Sequence, residues 1–535
     1  GGDSIISIQL VSRAREQGLY FDVQQVFQTP TLAGLALAAR IEHAEEPGEV
    51  NTLAHEGEVL LTPIQHYFFE QTRKNYHHCN QAKILAIHES ITLGDVEILL
   101  QALVKHHDVF RYKFTHQEKG WTQTYEREGF GFNKDLCIEV DLKGLLQEEQ
   151  QAKILEYAEK AQRGLNIEEG PLLRAVLFNC GEYGKKLFVV IHHLIVDGVS
   201  WRILLEDLNQ GYEQVREGKP ITLSRQTASY QYWAAQLNEY ANSAHLKEEL
   251  IYWDKVLPQE APPLPVDMTE GDNSVEGSEE VRVELDQEKT RLLIQKVPKT
   301  YRTQINDVLV TALVQAIGDW TGDYGVSFNL EGHGREDIGS SVDLSRTIGW
   351  FTSVYPVHIA LEEATDLRKS LKQVKERLRE IPHKGIGYGV LRYLNEDGKR
   401  SLGARKEPEV VFNYLGQWES GASESQLIQF SDGPTGQSED GETVRKQLFD
   451  INSQIIGGKL RVSWAYSKNR HKEETIKKVA GLFIEKLEAL IAHCCEEDAY
   501  GYTPSDFPLT KLSQKQIDKV LEPILGIEDV YPLSP

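Results

Sequence analysis

Cysteine is scarce in this chain of 535 residues, and the few that occur are scattered. There are five, an odd number with no CxxC pair: Cys79, Cys137, Cys180, Cys494 and Cys495. This usage excludes a disulfide framework of the secreted type and favours a reduced, cytoplasmic protein. Long apolar runs are also missing, since stretches such as residues 187–191 are far too short to cross a bilayer.

Positive charge is in deficit. The chain has 58 Lys and Arg against 81 Asp and Glu, a formal net charge of −23 and a pI of about 5.3. Nucleic acids and anionic membranes need clustered Lys and Arg, so neither is expected as the main partner. The sequence contains no HExxH motif and no regular Cys/His spacing, so no metal is expected either.

The first 58 residues differ from the rest in composition. Residues 1–40 predict a small all-α unit, because a turn at Gly1–Ser4 precedes apolar residues at helical spacing and a second helix follows Thr29-Pro30. Forty residues build little core alone, so a preceding helix is expected to be missing. Residues 41–58 are acidic, contain a Pro-Gly pair and have few large apolar groups, which predicts a linker.

From about residue 59, strand-like and helix-like patterns alternate, which predicts an α/β or α+β body. Gly457-Gly458 predicts a hairpin between two alternating segments. Residues 476–494 predict a helix with one apolar face. Two polar insertions, at about 268–280 and 420–443, are expected to be mobile surface loops.

The segment IHHLIVDG, residues 191–198, follows an apolar strand-like run. Strand residues alternate between faces, so one of His192 and His193 can face a cleft and act as an acid or base while the other supports the fold. Asp197 is placed to hold the turn by pairing with an arginine or with backbone N–H groups. The alternative is that both histidines are structural. Two other pairs, which follow no such strand, are interpreted as structural: His77-His78 and His106-His107.

The segment EGHGRE, residues 331–336, follows another strand-like run. Two glycines bracket His333, so the backbone is expected to turn tightly and to approach a ligand closely. Glu331 is expected at the strand end, a position that favours a cleft. No Lys or Ser/Thr follows and no helix pattern begins, which argues against a phosphate loop. Taken alone, the segment could be a loop with a solvated glutamate.

These segments together resemble a known family. IHHLIVDGVSWRIL (191–204) is similar to the signature shared by condensation and epimerization domains of nonribosomal peptide synthetases. Further segments, in the family's order, resemble the epimerization branch: LTPIQHYFFE (61–70), HHCNQ (77–81), EGHGRE (331–336), RTIGWFTSVYPV (346–357), IPHKGIGYG (381–389) and FNYLGQW (412–418). GGDSI (1–5) resembles a peptidyl carrier protein site, in the form with Asp before Ser that is common ahead of an epimerization domain. VYPLSP (530–535) resembles the opening of a condensation domain.

The resemblance implies a five-part architecture. It comprises a carrier fragment truncated at its N-terminus (1–40), a linker (41–58), two chloramphenicol-acetyltransferase-like subdomains of an epimerization domain (59–215 and 216–510) and a linker toward a following condensation domain (511–535). A tunnel between the subdomains would admit the carrier's arm. The implied body is therefore α/β (α+β), preceded by a small all-α fragment.

The resemblance also implies the chemistry. Ser4 would carry 4′-phosphopantetheine covalently, although a plain N-cap is the structural alternative for this residue. His193 and Glu331 would remove and return the α-proton of an aminoacyl or peptidyl thioester; which of the two acts on the L form is left open. Trp350 and Tyr388 are interpreted as wall or core residues. Residues expected to line or support the site are His192, Asp197, Gly198, Asn413 and Tyr414.

The implied partners are the chain's own carrier with its thioester-bound substrate, an upstream adenylation domain, a downstream condensation domain and a phosphopantetheinyl transferase. Two alternatives compete with epimerization. The first is a condensation domain that makes a peptide bond with the same His193. The second is a non-catalytic module that docks carriers. Glu331 and the preceding carrier segment favour epimerization over the first, and the intact His193 and Glu331 weigh against the second.

Overall fold

The computed structural model describes most of the chain from residue 54 onward. The described ranges are 54–71, 73–127, 136–258, 263–340, 342–418, 427–521, 524 and 526–531, together with residues 7, 10–11, 13–14, 18–21, 25–26 and 31–41. Ser4, the expected attachment residue, lies outside them, as do residues 42–53 of the expected linker. The helix expected after Thr29-Pro30 is confirmed as α1 (Leu32–Ala38), and β1 (Leu19–Tyr20) pairs with β2 (Arg40–Ile41).

A five-stranded sheet forms the centre of the first half of the chain, in the order β14-β4-β9-β8-β7. Its strands are β4 (Asn80–Ile87), β7 (Cys137–Asp141), β8 (Leu173–Asn179), β9 (Lys185–His192) and β14 (Ile428–Ser431). The apolar run of β9 is buried on both faces, because alternate residues join two separate hydrophobic clusters. The sequence prediction of a buried strand before the two histidines is confirmed.

A six-stranded sheet forms the centre of the second half, in the order β10-β16-β15-β13-β11-β12. Its strands are β10 (Ser278–Leu285), β11 (Gly325–Gly332), β12 (Ser353–Ala360), β13 (Val410–Trp418), β15 (Phe449–Ile456) and β16 (Lys459–Ser467). The predicted hairpin is confirmed, since Gly457 and Gly458 join β15 to β16 with φ of +58° and +77°. The pairs β11–β13 and β13–β15 are parallel, so the ends of these three strands meet.

A third sheet has three strands in the order β3-β6-β5, namely β3 (Gly57–Val59), β5 (Tyr112–Gln117) and β6 (Gly120–Tyr125). The folded body therefore begins two residues before the expected boundary at 59, because the backbone of β3 pairs with β6.

Helices cover both large sheets. In the first half of the chain they are α2 (Pro63–Glu70), α3 (Leu93–His106), α4 (Gln147–Gln162), α5 (Gly198–Arg216), α6 (Tyr230–Tyr240) and α7 (Ala244–Val256). In the second half they are α8 (Gln287–Gln295), α9 (Val297–Thr300), α10 (Ile305–Thr321), α11 (Leu367–Arg379), α12 (Ile386–Leu394), α13 (Glu396–Leu402), α14 (Glu473–Cys494) and α15 (Gln514–Val520). The predicted helix at 476–494 is confirmed as α14. Within the described ranges, no helix combines the length and apolarity needed to span a membrane.

The expectation of a mobile loop at 420–443 is wrong for residues 427–443. Strand β14 pairs with β4 of the other half, the amide of Asn80 donates to the carbonyl of Ser438 (2.7 Å), and the amide of Asp440 donates to that of His78 (3.0 Å). Pairing of these backbone groups fixes the segment. The expected boundary at 215/216 separates the two large sheets except for β14, which crosses back to complete the first one.

Two other segments are more ordered than their polarity suggests. In the insertion at 268–280, the side chain of Asn273 donates to the carbonyls of Arg445 (2.8 Å) and Gln447 (2.7 Å), and β10 begins at Ser278. The expected linker at 511–535 contains α15, where Ile517 is buried in a small apolar cluster with Phe507. The first expectation missed contacts with residues far away in the chain, and the second missed a local apolar cluster.

Candidate active site

The first candidate segment forms a strand, a tight turn and a helix. β9 ends at His192, residues His193–Ile195 make one 3-10 turn, and α5 begins at Gly198. Asp197 caps this helix, because its carboxylate accepts the backbone N–H of Ser200 at 2.8 Å. The turn therefore holds the second histidine at the end of a rigid strand.

His192 supports the fold. Its side chain is fully buried, one ring nitrogen lies 2.9 Å from the carbonyl of Tyr76, and the other accepts the backbone N–H of Leu194 at 3.2 Å. Burial lowers the pKa of His192 to about 3, so the ring is neutral. Both nitrogens are held by backbone groups of the fold, and the side chain is closed off from solvent.

His193 is held in one tautomer by its neighbours. Its Nδ1 lies 3.0 Å from the carbonyl of Val196, which can only accept, so Nδ1 carries the proton. The Nε2 atom lies 3.0 Å from the side-chain nitrogen of Gln81, and the Gln81 oxygen accepts the indole N–H of Trp201 at 2.8 Å. The lone pair of His193 is therefore on Nε2, and burial lowers the pKa of the ring. This is the state that a general base requires.

Asp197 joins the two halves of the chain. Its carboxylate lies 3.3 Å from the guanidinium of Arg335, in the EGHGRE segment, and accepts the backbone N–H of Phe351 at 3.2 Å. The two side chains of the ion pair are only 2% and 6% exposed. Both kinds of contact expected from the sequence, an arginine and backbone N–H groups, are present.

We expect Asp197→Ala to lower the free energy of unfolding by about 3 to 5 kcal/mol, because the change leaves Arg335 buried without its partner. Urea unfolding followed by tryptophan fluorescence measures this loss. The matched control is Glu363→Ala, which removes an exposed pair with Lys369 and is expected to leave the midpoint unchanged. Equal losses in the two variants would contradict the assignment of a buried ion pair.

Glu331 is the penultimate residue of β11, where the polar EGHGRE segment starts. One of its carboxylate oxygens accepts the side-chain N–H of Asn413, on the neighbouring strand β13, at 2.7 Å. Burial, with a smaller contribution from the charge of Asp450, raises the pKa of Glu331 to about 8. Glu331 therefore holds a proton at neutral pH and can donate it.

The parallel strands assemble the surroundings of Glu331. The register that pairs Leu330 with Phe412 places Glu331 beside Asn413, which in turn pairs with Asn452 on β15. Asn452 donates to Asp450 at 3.3 Å. Burial also raises the pKa of Asp450, with Arg445 acting in the opposite direction. Two half-buried carboxyl groups thus share one face of the sheet, which disfavours ionisation of both at once.

An apolar cleft is lined by residues that neighbour the two groups. Trp350 lines it and packs on His193, with the ring centroids 4.2 Å apart. Val354 also lines it, from the position directly opposite Glu331 on β12. The cleft is thus bordered by one neighbour of each candidate proton-transfer group, although these groups are distant in the sequence.

The glycines around His333 serve the fold. Gly334 has φ of +65°, and a Cβ there would lie 1.6 Å from the carbonyl oxygen of Phe351. The tight turn expected from the sequence is present. The close approach is to the chain's own backbone before β12, which excludes any other residue at this position.

The remaining predicted residues fall into three groups. Trp350 and Tyr388 line the cleft, as expected for wall residues. Tyr414 is half-buried against the main hydrophobic core, and Gly198 starts α5 with open space where a Cβ would lie. The other histidine pairs make structural contacts: His77 with the amide of Ile167, His78 with the carbonyl of Gln437, His106 with the carbonyl of Ser224, and His107 with Asp207.

Four residues of the site carried no role in the sequence interpretation. Gln81 and Trp201 fix the tautomer of His193, Arg335 pairs with Asp197, and Asp450 acts on Glu331. The first three lie within the motifs quoted above, but a motif does not indicate which distant residue each of them contacts. Within the described ranges, no group of three or more His, Cys, Asp or Glu side chains is arranged to hold a metal.

Known proteins resemble this chain along its whole length. One of the linear gramicidin synthase proteins from Brevibacillus parabrevis is 41% identical over 546 residues, which cover 100% of this chain and 7% of that protein. Bacitracin synthase 3 from Bacillus licheniformis is 36% identical over 536 residues, with 100% and 8% covered. The chain therefore spans less than a tenth of either curated relative.

Solved structures share the fold. The epimerization domain from the third module of tyrocidine synthetase B is 38% identical with a TM-score of 0.77, and the match covers 84% of this chain and 99% of that one. The first condensation domain of the CDA synthetase, at 16% identity and a TM-score of 0.59, shows the fold alone. The sequence profile of the condensation domain matches residues 55–512. This chain belongs to the condensation-domain family of nonribosomal peptide synthetases.

Proposed function

We propose that the chain inverts the α-carbon of an aminoacyl or peptidyl thioester, from L to D, during nonribosomal peptide synthesis. The observation that carries the proposal is a pair of complementary proton-transfer groups beside one cleft. His193 offers a lone pair on Nε2, and Glu331 has a pKa raised to about 8 and so holds a proton. Inversion needs both states at once.

A thioester acidifies its own α-proton. When a base removes this proton, the electron pair of the C–H bond moves into the carbonyl and forms an enolate. When an acid returns a proton to the opposite face of the α-carbon, the carbonyl reforms and the configuration is inverted. No other bond changes, and no oxidant or reductant takes part. The protein must supply one base, one acid and a site that excludes bulk water.

In one direction, His193 Nε2 takes the α-proton and Glu331 gives its proton to the other face. In the reverse direction the two groups exchange roles, because each has just acquired the state that the return reaction needs. Each positioned acid or base contributes about 10²- to 10⁴-fold to the rate. Asn413 positions Glu331 through the hydrogen bond of 2.7 Å. Gln81 donates to Nε2 of His193 and holds the ring in the tautomer with its lone pair there, and the α-proton would take the place of this donor during the reaction.

The substrate would arrive on a carrier. Ser4, in the segment similar to a carrier site, would hold 4′-phosphopantetheine after modification by a phosphopantetheinyl transferase. Tethering raises the effective concentration of the thioester to the order of mM. An upstream adenylation domain would select the amino acid, and a downstream condensation domain would take the product. These partners and the cytoplasmic location belong to the proposal, which is supported by relatives that are peptide synthetases.

Deuterium exchange tests the function. We would incubate the chain in D₂O with the L-phenylalanyl thioester of pantetheine, both free and loaded on Ser4, and then determine the mass and chirality of the released amino acid. We expect the gain of one deuteron and a mixture of L and D isomers, because the acid that returns a proton to the α-carbon has exchanged its own proton with D₂O. A dipeptidyl thioester is run in parallel. Absence of both deuterium and D isomer with every substrate would refute the proposal.

The same samples separate the alternatives. A condensation domain would join the thioester to a second aminoacyl acceptor without labelling the α-carbon. A docking module would bind the loaded carrier and change neither label nor chirality. Condensation needs one base, His193, and offers no task for the protonated Glu331 on its separate strand. The second group is the reason to prefer epimerization.

A further inference from the structure

The cleft beside the site extends away from the two proton-transfer groups. Its walls come from α2, α6, α12 and the start of β12. Tyr67, on α2, lines the cleft, and its pKa is raised by burial and by the charges of Glu407 and Glu331. Space next to a reacting carbon can receive one of that carbon's substituents.

The α-carbon of an aminoacyl thioester has four substituents. In the proposed reaction, the proton faces one of the two transfer groups, the thioester carbonyl leads toward the carrier arm, and the amine is free or, in a peptidyl substrate, joined to the upstream chain. The side chain remains. Because Trp350 contacts His193 and Val354 lies opposite Glu331, a carbon held between the two groups borders this cleft. The side chain is therefore the substituent that can enter it.

The walls near the site are apolar and largely aromatic. Trp233 and Leu237, one turn apart on α6, are 2% and 3% exposed. The other apolar lining residues are Ile64, Trp350, Phe351, Val354, Ile386 and Tyr388. Such a lining favours an apolar or aromatic guest.

The far end of the cleft offers no net charge. Arg392 lies 3.2 Å from both Glu70 and Glu407, and Lys446 lies 3.5 Å and 3.6 Å from the same two carboxylates. Two cations and two anions are thus already paired with one another. A charged substrate side chain would break these pairs and lose its own hydration without a free partner.

We propose that this cleft is the pocket for the substrate side chain and that it selects large apolar or aromatic residues over small or charged ones. The inference rests on the proposed function and goes beyond it by naming the substrate class. Trp233 and Leu237 form the wall that sets the size limit. A large apolar side chain that fills the pocket removes its own apolar surface, and that of the walls, from water. A small side chain removes less of this surface, so it binds more weakly.

A substrate series tests the pocket. We would supply the chain with L-phenylalanyl, leucyl, alanyl, aspartyl and lysyl thioesters of pantetheine and measure deuterium incorporation at the α-carbon. We expect kcat/KM for the phenylalanyl and leucyl thioesters to exceed that for the alanyl thioester by about tenfold or more, and the charged pair to fall at or below alanyl. Equal values across the series would overturn the pocket while leaving the epimerization intact. No exchange with any thioester would instead overturn the proposed function.

Variants at the wall provide the second arm. Leu237→Phe fills the cleft and is expected to lower the ratio of kcat/KM for the phenylalanyl thioester to that for the alanyl thioester by about tenfold. Leu237→Ala enlarges the cleft and is expected to favour a tryptophanyl thioester relative to phenylalanyl. The control is Ile98→Phe on α3, a site 51% exposed and away from the cleft lining. Retained alanyl exchange shows that each variant is folded, and an unchanged preference in both Leu237 variants would refute the assignment.

Discussion

Replacing His193 with glutamine is expected to lower α-proton exchange by about 10²- to 10⁴-fold. Glutamine can keep a hydrogen bond near Gln81, but its amide cannot hold a proton taken from carbon. In the wild-type chain, Nδ1 of His193 donates to Val196 and Nε2 is left as the base. The measurement is the initial rate of deuterium incorporation at pH 7 from pure L and from pure D phenylalanyl thioester, and the loss is expected for the isomer whose α-proton faces His193.

The matched control for this variant is His116→Gln, which changes an exposed histidine on β5. This control is expected to exchange at the wild-type rate. If His193→Gln also exchanged at that rate, another group would be the base, and the assignment of His193 would be wrong. Circular dichroism of both variants establishes that the fold is retained.

Replacing Glu331 with glutamine is expected to separate exchange from inversion. Without the second proton-transfer group, inversion falls by about 10²- to 10⁴-fold. The isomer whose α-proton faces His193 still loses it and regains a deuteron on the same face, so label enters without a change of chirality. The opposite isomer is expected to take up no label. Mass and chiral analysis of reactions started from pure L and pure D thioesters measure both effects.

Glu280→Gln on β10 is the control for the Glu331 variant, because it alters an exposed pair with Arg282. Label that entered both isomers equally in Glu331→Gln would contradict a two-group mechanism. It would point to one base that reaches both faces. The two isomers thus report separately on the two groups, which a single rate could not do.

The pH profile follows from the same carboxyl group. Glu331 has its pKa raised to about 8, so it is protonated below that pH and donates, and inversion that uses Glu331 as the acid declines above it. In Asp450→Asn a nearby negative charge is lost, which lowers the pKa of Glu331. The decline is then expected at lower pH. An unchanged pH profile would show that the charge of Asp450 does not raise the pKa of Glu331.

The local features of the site were predictable from sequence. The run before His192 is continuous in apolar residues because β9 is buried on both faces, and Asp197 stands where a helix cap is needed. The resemblance to a known family supplied the pairing of His193 with Glu331. From the residue patterns of IHHLIVDG and EGHGRE alone, His193 and Glu331 could equally have had structural roles.

The rest depends on contacts between distant parts of the chain. Arg335 lies 138 residues from Asp197, and the sequence indicated only that some arginine was needed. The register of the parallel strands brings Asp450 onto the same face as Glu331. Hydrophobic patterns in the sequence do not specify that register. The tautomer of His193 follows from its contacts with Val196 and Gln81, and Trp201 sets the orientation of the Gln81 amide. β14 is four residues long, too short for a pattern to identify.

Strand β14 has a practical consequence for building hybrid synthetases. It supplies the outermost strand of the first sheet, pairing Ile428 with Ile87 and Ser431 with Ile84. A fragment that stops near residue 215 would leave the backbone of β4 unpaired along an apolar edge, which invites aggregation. Recombination between relatives at that junction would match β4 of one parent with β14 of the other. The smallest transplantable unit is therefore the whole two-sheet body, with crossover points placed outside it.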